Sequence, residues 1–281
     1  MGIRFLVLGE TTISLFTIPN PQSAIRNPTS DIRHPQSDIP NPQSKKMPLI
    51  LGIETATSIC SIALVKDGKR LAIRESEGAK EHSASLTGYI ADVFTEAGYT
   101  FEQLDAIAVS IGPGSYTGLR IGVSSAKGLC YALDKPLIAI GTLKSLAWQA
   151  MQKCRLENKN TDQVLFCPML DARRMEVFTA LFDQELRVIE PVNALVVTEE
   201  AFDSFNGKEI IYFGDGAAKC KSLFEAKNNY TFFNTISLSG AALCMLAEIE
   251  FKNNNFADLA YCEPFYLKDF IAGKPRVKGL Y

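Results

Sequence analysis

The chain has 281 residues, 47% of them hydrophobic, enough for one large domain or two lobes around a sizeable core. Its 29 basic and 31 acidic side chains nearly balance, but five basic and only three acidic ones precede Met47, so the remainder is net acidic. That balance argues against strong autonomous nucleic-acid binding, which draws mainly on phosphate neutralisation.

Residues 1–46 differ in kind from the rest of the chain. Asn20-Pro21-Gln22-Ser23, Asn27-Pro28-Thr29-Ser30, His34-Pro35-Gln36-Ser37 and Asn41-Pro42-Gln43-Ser44 recur with a seven-residue period. A proline in every heptad excludes a coiled coil. The repeat has too little apolar content for a core, so it is expected to be a disordered extension upstream of a true start at Met47. From Met47, apolar runs at Leu49–Glu54 and Ser58–Val65 lead through the turn Lys66-Asp67-Gly68-Lys69 into Arg70–Glu75, a β-meander. Leu86, Ile90, Val93, Phe94 and Ala97 then recur at helical spacing. Strand Ala106–Ile111, a glycine turn, helix Leu119–Leu133 and strand Pro136–Ile140 read as a β-α-β crossover. A second passage opens with strands Val164–Leu170 and Glu176–Phe182 flanking Asp171-Ala172-Arg173-Arg174. Glu209–Phe213 leads into Gly214-Asp215-Gly216, and Leu243, Leu246, Ala247 and Phe251 mark a late helix. Hairpins feeding a mixed sheet, twice over, predict two α/β lobes of similar plan. They are expected at 47–145 and 146–281, with the last segment returning to the first lobe.

The glycine turn Ile111-Gly112-Pro113-Gly114-Ser115-Tyr116-Thr117-Gly118-Leu119-Arg120-Ile121-Gly122 is the most informative stretch. A turn between a strand and a helix start can cradle an anion, because orphan N–H donors and the positive end of the macrodipole coincide there. Three known signatures nevertheless fail. A dinucleotide fingerprint needs glycine where Thr117 stands, and a P-loop needs Gly-Lys-Ser/Thr where Gly118-Leu119-Arg120 stands. A nucleophile elbow on Ser115 needs glycines in place of Pro113 and Thr117. The alternative is a structural turn that lets a helix start close to a sheet, and motif logic favours it.

Seven cysteines (60, 130, 154, 167, 220, 244 and 262) are never spaced Cys-x-x-Cys and read as buried thiols of a reducing, cytoplasmic compartment. No apolar run reaches the ~18 residues of a membrane span. The sequon Asn229-Tyr230-Thr231 would go unused in the cytoplasm. Lys268, Lys274, Arg276 and Lys278 form the one basic cluster outside the extension, and it reads as a solvated tail.

Ile50-Leu51-Gly52-Ile53-Glu54-Thr55-Ala56-Thr57-Ser58, followed by Cys60-Ser61-Ile62-Ala63-Leu64, resembles the first phosphate loop of the actin/hexokinase/Hsp70 superfamily. With the glycine turn, Asp171-Ala172-Arg173-Arg174-Met175-Glu176-Val177-Phe178 and Glu263-Pro264-Phe265-Tyr266-Leu267-Lys268, it is similar to the TsaB family of tRNA threonylcarbamoyladenosine biosynthesis proteins. The resemblance spans essentially Met47 to Lys278. It implies a two-lobed actin-like (ASKHA) α/β fold with mixed sheets flanked by helices. It also implies a non-catalytic subunit that pairs with TsaD, the owner of metal and transferase chemistry, and is engaged by the ATPase TsaE. ATP, ADP and Mg²⁺ would then belong to the partners, and tRNA would be met only within the complex.

The residues bear on that implication. Paired histidines at helical spacing, as metal-binding paralogues carry, are missing: His34 lies in the repeat and leaves His82 alone at a helix start, where an exposed residue is the simpler reading. In the phosphate loop, Ala56 stands where nucleotide-binding relatives have glycine, and its methyl hinders close approach to a phosphate. Glu54, Thr55, Thr57, Ser58, Gly112, Gly114, Ser115, Thr117 and Gly118 therefore read as a phosphate-loop remnant. Asp171 and Arg173 are second-lobe candidates whose simpler role is to tie a strand end to its loop.

Without catalysis the working surface should be a partner interface. Gly122, Ser125 and Ala126 place small residues along one helix, though packing on the protein's own sheet would use them equally well. The helix before it, with Leu86, Ile90 and Phe94, is expected to bury only part of its stripe. The two helices would meet a matching pair on TsaD, with Arg120 as a polar anchor and a homodimer forming through the same face. The rival classes are an active small-molecule kinase or glycoprotease-type metallopeptidase, and a direct tRNA-binding module. The first lacks its glycine and histidines; the second lacks a basic, aromatic-interleaved face.

Overall fold

A computed structural model describes residues 47–77 and 82–268. The heptad repeat and the basic residues Lys274, Arg276 and Lys278 fall outside them, and the side chain of His82 is likewise not described. The described residues belong to one compact unit.

Strands β1 (Leu49–Glu54), β2 (Ile59–Lys66) and β3 (Lys69–Glu77) form the meander, turned at Asp67-Gly68 with both residues at positive φ. This is the backbone that a two-residue hairpin needs to match strand twist. Helix α1 (His82–Ala97) precedes β4 (Ala106–Gly112), α2 (Tyr116–Leu133) and β5 (Leu137–Gly141). The five strands lie in the order β3-β2-β1-β4-β5, antiparallel up to β1 and parallel beyond it. Helix α3 (Thr142–Leu156) leads to a second sheet of β6 (Val164–Asp171), β7 (Glu176–Phe182), β8 (Val188–Val196), β9 (Glu209–Phe213) and β10 (Tyr230–Phe233). Its order, β8-β7-β6-β9-β10, repeats the first plan strand for strand. The duplicated order is that of the two-lobed actin-like fold. A short α4 (Lys221–Phe224) and the longer α5 (Gly240–Lys252) complete the elements.

Both faces of the first sheet are covered, which is why β1 reads as a continuous apolar run without alternation. Leu49, Leu51, Ile53, Ile62 and Leu64 pack under α1 and α2, against Leu86, Val93, Phe94, Val123 and Cys130. On the other face Ile50, Ala63, Val65, Ala108 and Ile138 meet Leu243, Cys244, Leu246 and Ala247 of α5. Helix α3 packs Leu146, Ala150 and Met151 on Phe166, Phe182, Ile211 and Phe213 of the second sheet, and Ala56 and Leu119 of the first half join that cluster.

Sequence reading did not foresee α3, β8 or β10. Helix α3 carries its signal openly, since Leu143, Leu146, Ala147, Ala150, Met151 and Cys154 recur at helical spacing and are all buried. Strand β8 is an edge strand with Pro191 in it and no clean alternation, so no periodic pattern announces it. Helix α2 starts three residues before the expected Leu119, because Ser115 caps it with its side chain.

Candidate functional site

In an open α/β sheet the place to look for a site is the crevice beyond the strands' carboxyl ends, where the strand order reverses. In the first sheet that place lies past Glu54 on β1 and Gly112 on β4. Glu54 is fully buried. Its Oε1 accepts hydrogen bonds from the Ala56 N–H (2.8 Å) and the Ser110 hydroxyl (2.6 Å), while Oε2 is buried with no partner. Desolvation pushes its pKa up to about 7, against the pull of those hydrogen bonds.

The glycine turn closes directly onto this loop. The Ser115 N–H donates to the Ala56 carbonyl at 2.6 Å, and the Thr55 hydroxyl donates to the Gly118 carbonyl at 2.8 Å. Ser115 Oγ accepts from the Gly118 N–H at 3.3 Å, and the Leu119 N–H reaches the Ser115 carbonyl at 2.9 Å. Two donors at the start of α2 that could have faced an anion, the Ser115 and Gly118 N–H groups, are thus spent on the chain itself. The glycines serve the same contact. A Cβ on Gly114 would run into the Ala56 carbonyl, one on Gly118 into the Thr55 carbonyl, and one on Gly122 into the Thr55 hydroxyl. Thr57 Oγ1 accepts from the Ile59 N–H at 3.3 Å, while Ser58 and Thr117 are exposed.

At the matching place in the second sheet, the Asp171 N–H donates to Asp215 Oδ1 at 2.9 Å. Asp171 Oδ1 accepts from the Arg173 N–H at 3.1 Å and pairs with Lys219, whose Nζ also donates to the Glu176 carbonyl at 2.7 Å. Burial, with Asp171 as a like charge nearby, raises the pKa of Asp215. Arg173 and Arg174 both take positive φ, so Arg173 contributes to this knot through its backbone, not its exposed guanidinium. Among the described residues no group of three His, Cys, Asp or Glu is placed to hold a metal ion, and no helix is long and apolar enough to cross a membrane.

A family profile described as TsaD, tRNA N6-adenosine threonylcarbamoyltransferase, matches residues 74–280. The chain belongs to this family. Its relatives include the tRNA threonylcarbamoyladenosine biosynthesis protein TsaB of Escherichia coli, 29% identical over 232 residues, covering 80% of this chain and 96% of that one. The TsaB protein of Haemophilus influenzae is 27% identical over 232 residues, covering 80% and 95%. Among solved structures, YeaZ from Pseudomonas aeruginosa has the same fold, with a TM-score of 0.63 at 23% identity over 77% of this chain and 100% of that one.

In this member of the TsaD family the expected partner surface needs correction. Leu86, Ile90 and Phe94 are only 2%, 5% and 3% exposed, so α1 buries these three, with Val93, in the first core. Gly122 and Ala126 are buried too, turned onto β1 and its loop, and Ser125 is half-buried. The five buried residues, Leu86, Ile90, Phe94, Gly122 and Ala126, cannot be offered to a partner by the folded chain. The lobe is large enough to cover the stripe because Phe101, Leu104 and Tyr99 extend the core beyond the strands. Arg120 is exposed, its guanidinium 4.4 Å over the Tyr116 ring. What α1 and α2 do expose includes Thr87, Gly88, Ala91, Asp92, Thr95 and Glu96 on one and Thr117, Arg120, Ser124, Gly128, Tyr131 and Ala132 on the other.

Proposed function

We propose that this chain is a non-catalytic subunit in the formation of threonylcarbamoyladenosine in tRNA, pairing with a TsaD-type subunit. One observation carries the reading: the turn that would cradle a phosphate is closed on the chain's own Thr55-Ala56 backbone, with Gly114, Gly118 and Gly122 cleared for that contact. The names of the TsaB relatives supply the pathway. ATP, ADP and Mg²⁺ belong, on this reading, to the TsaD and TsaE partners, and tRNA is engaged by the complex and not by this subunit alone.

The partner face is the outer side of α1 and α2. Gly88 and Gly128 stand inside helices, where glycine costs about 1 kcal/mol relative to alanine. Yet among the described residues, apart from the helix's own adjoining backbone, nothing lies within 4 Å of a Cβ at either position. Neither glycine is needed for the fold, and both suit the close approach of another subunit's helices. Tyr131, at 84% exposure, is the aromatic anchor such an interface would bury. The test is reconstitution of tRNA modification from TsaD, TsaE, the adenylate-forming enzyme and this chain. Product should vanish when the chain is omitted; undiminished product without it, or turnover by the isolated chain, would refute the reading.

A further inference from the structure

Past α5 the chain runs back along the first half. The Ala257 N–H donates to the Leu137 carbonyl at 2.8 Å, and Lys127 Nζ on α2 donates to the carbonyls of Ala260 (3.2 Å) and Cys262 (2.9 Å). The next six residues, Glu263–Lys268, are fastened at two places. In the first half, the Phe265 N–H donates to the Ile111 carbonyl near the carboxyl end of β4 at 2.7 Å. The Phe265 carbonyl takes up the space left by Gly112, where an added Cβ would come within 2.5 Å of it. The Tyr266 ring lies 4.8 Å from that of Tyr116, and its hydroxyl accepts from Arg120 Nε at 3.2 Å. In the second half, Lys268 pairs with Glu176 at the head of β7 and sits 5.7 Å over the Phe178 ring.

We propose that Glu263–Lys268 is a strap that fastens the second half of the molecule to the first and covers the mouth between the carboxyl ends of β4 and β6. Phe265 and Tyr266 remain 45% and 38% exposed, so the segment is not held as part of a core. It is held by main-chain, ring and charge contacts made to one half and then the other. Three residues reach across only about 10 Å of extended chain, so the halves cannot part without breaking one anchor. Since that mouth is where a ligand of an open α/β sheet would enter, the strap keeps it shut and fixes the second half relative to α2.

Amide hydrogen exchange of the full chain tests this, with Tyr266→Ala/Lys268→Ala as the released variant and a chain ending after Lys268 as the strap-retaining control. The reporters are the Ser115 and Gly216 amides, which follow the carboxyl ends of β4 and β9 and bond to Ala56 and Met169, not to the strap. Release should speed their exchange at least tenfold, leave the β1–β2 ladder unchanged, and leave the control as slow as the intact chain. Unchanged rates at Ser115 and Gly216 would overturn the proposal. So would equal acceleration of the β1–β2 ladder, which would mean a general loss of stability, or acceleration in the control.

Discussion

The buried carboxyl of Glu54 should make this protein less stable as pH rises through neutrality, and Glu54→Gln should remove that dependence. Its folded pKa of about 7 lies above the ordinary 4.5, so between those values the folded chain keeps a proton that the unfolded chain gives up. Stability is therefore full below pH 4.5, falls across the window, and levels off above 7. Linkage between pH 5 and pH 8 amounts to about 2.5 kcal/mol for such a shift. Glutamine retains an acceptor for the Ala56 and Ser110 donors but puts an amide where Oε2 has no partner. That penalty does not vary with pH. Urea unfolding of both proteins at pH 5 and pH 8 thus gives a double difference in which it cancels. The wild type should lose about 2–3 kcal/mol relative to the variant on going to pH 8. A double difference below about 1 kcal/mol would mean that the carboxylate is solvated or paired, and the reasoning from its burial would fail.

Gly118→Ala forces a methyl into the Thr55 carbonyl and should cost roughly 1–3 kcal/mol in thermal or urea unfolding, despite the better helix propensity of alanine. Gly128→Ala has open space around it and should gain roughly 0.4–1 kcal/mol. Gly128→Leu should leave the monomer folded but weaken its binding to TsaD in calorimetry, and undiminished binding would move the interface elsewhere. Burial pushes the thiol of Cys60 up to about 11 and those of Cys130 and Cys167 up to about 12. Burial raises the Cys262 thiol too, but the other six are buried and it is not, so iodoacetamide at pH 8 should alkylate Cys262 first among the seven, as read by mass spectrometry of peptides.

The meander and the first crossover were legible because their signals are local: apolar runs bounded by Asp67-Gly68 and by the glycine turn. Finding that pattern twice gave the two-lobed α/β plan, and the resemblance gave the actin-like fold. Helix α3 was legible but unread, its stripe lying plainly in Leu143, Leu146, Ala150 and Met151. Other features depend on long-range geometry that no pattern carries. Leu86, Ile90 and Phe94 announce an apolar face, but not how much neighbouring chain will cover it. The orphaned oxygen of Glu54 depends on where β4 places Ser110. The use of Gly114, Gly118 and Gly122 against Thr55 and Ala56 depends on two segments far apart in sequence, although the failed phosphate motifs already pointed toward a structural turn. Asp171 showed its type but not its tie to Lys219 and Asp215.

The return of α5 to the first sheet has a consequence during synthesis. Ile50, Ala63, Val65 and Ile138 line a face of that sheet which α5 covers with Leu243, Leu246 and Ala247, beside Trp148 of α3. A ribosome delivers those strands long before it delivers residue 240, and the whole second sheet emerges in between. Until then the nascent chain presents most of that apolar surface to its surroundings, shielded only in part by Trp148. The half made first is thus the half finished last, and factors that guard unfinished chains should find this protein at that stage.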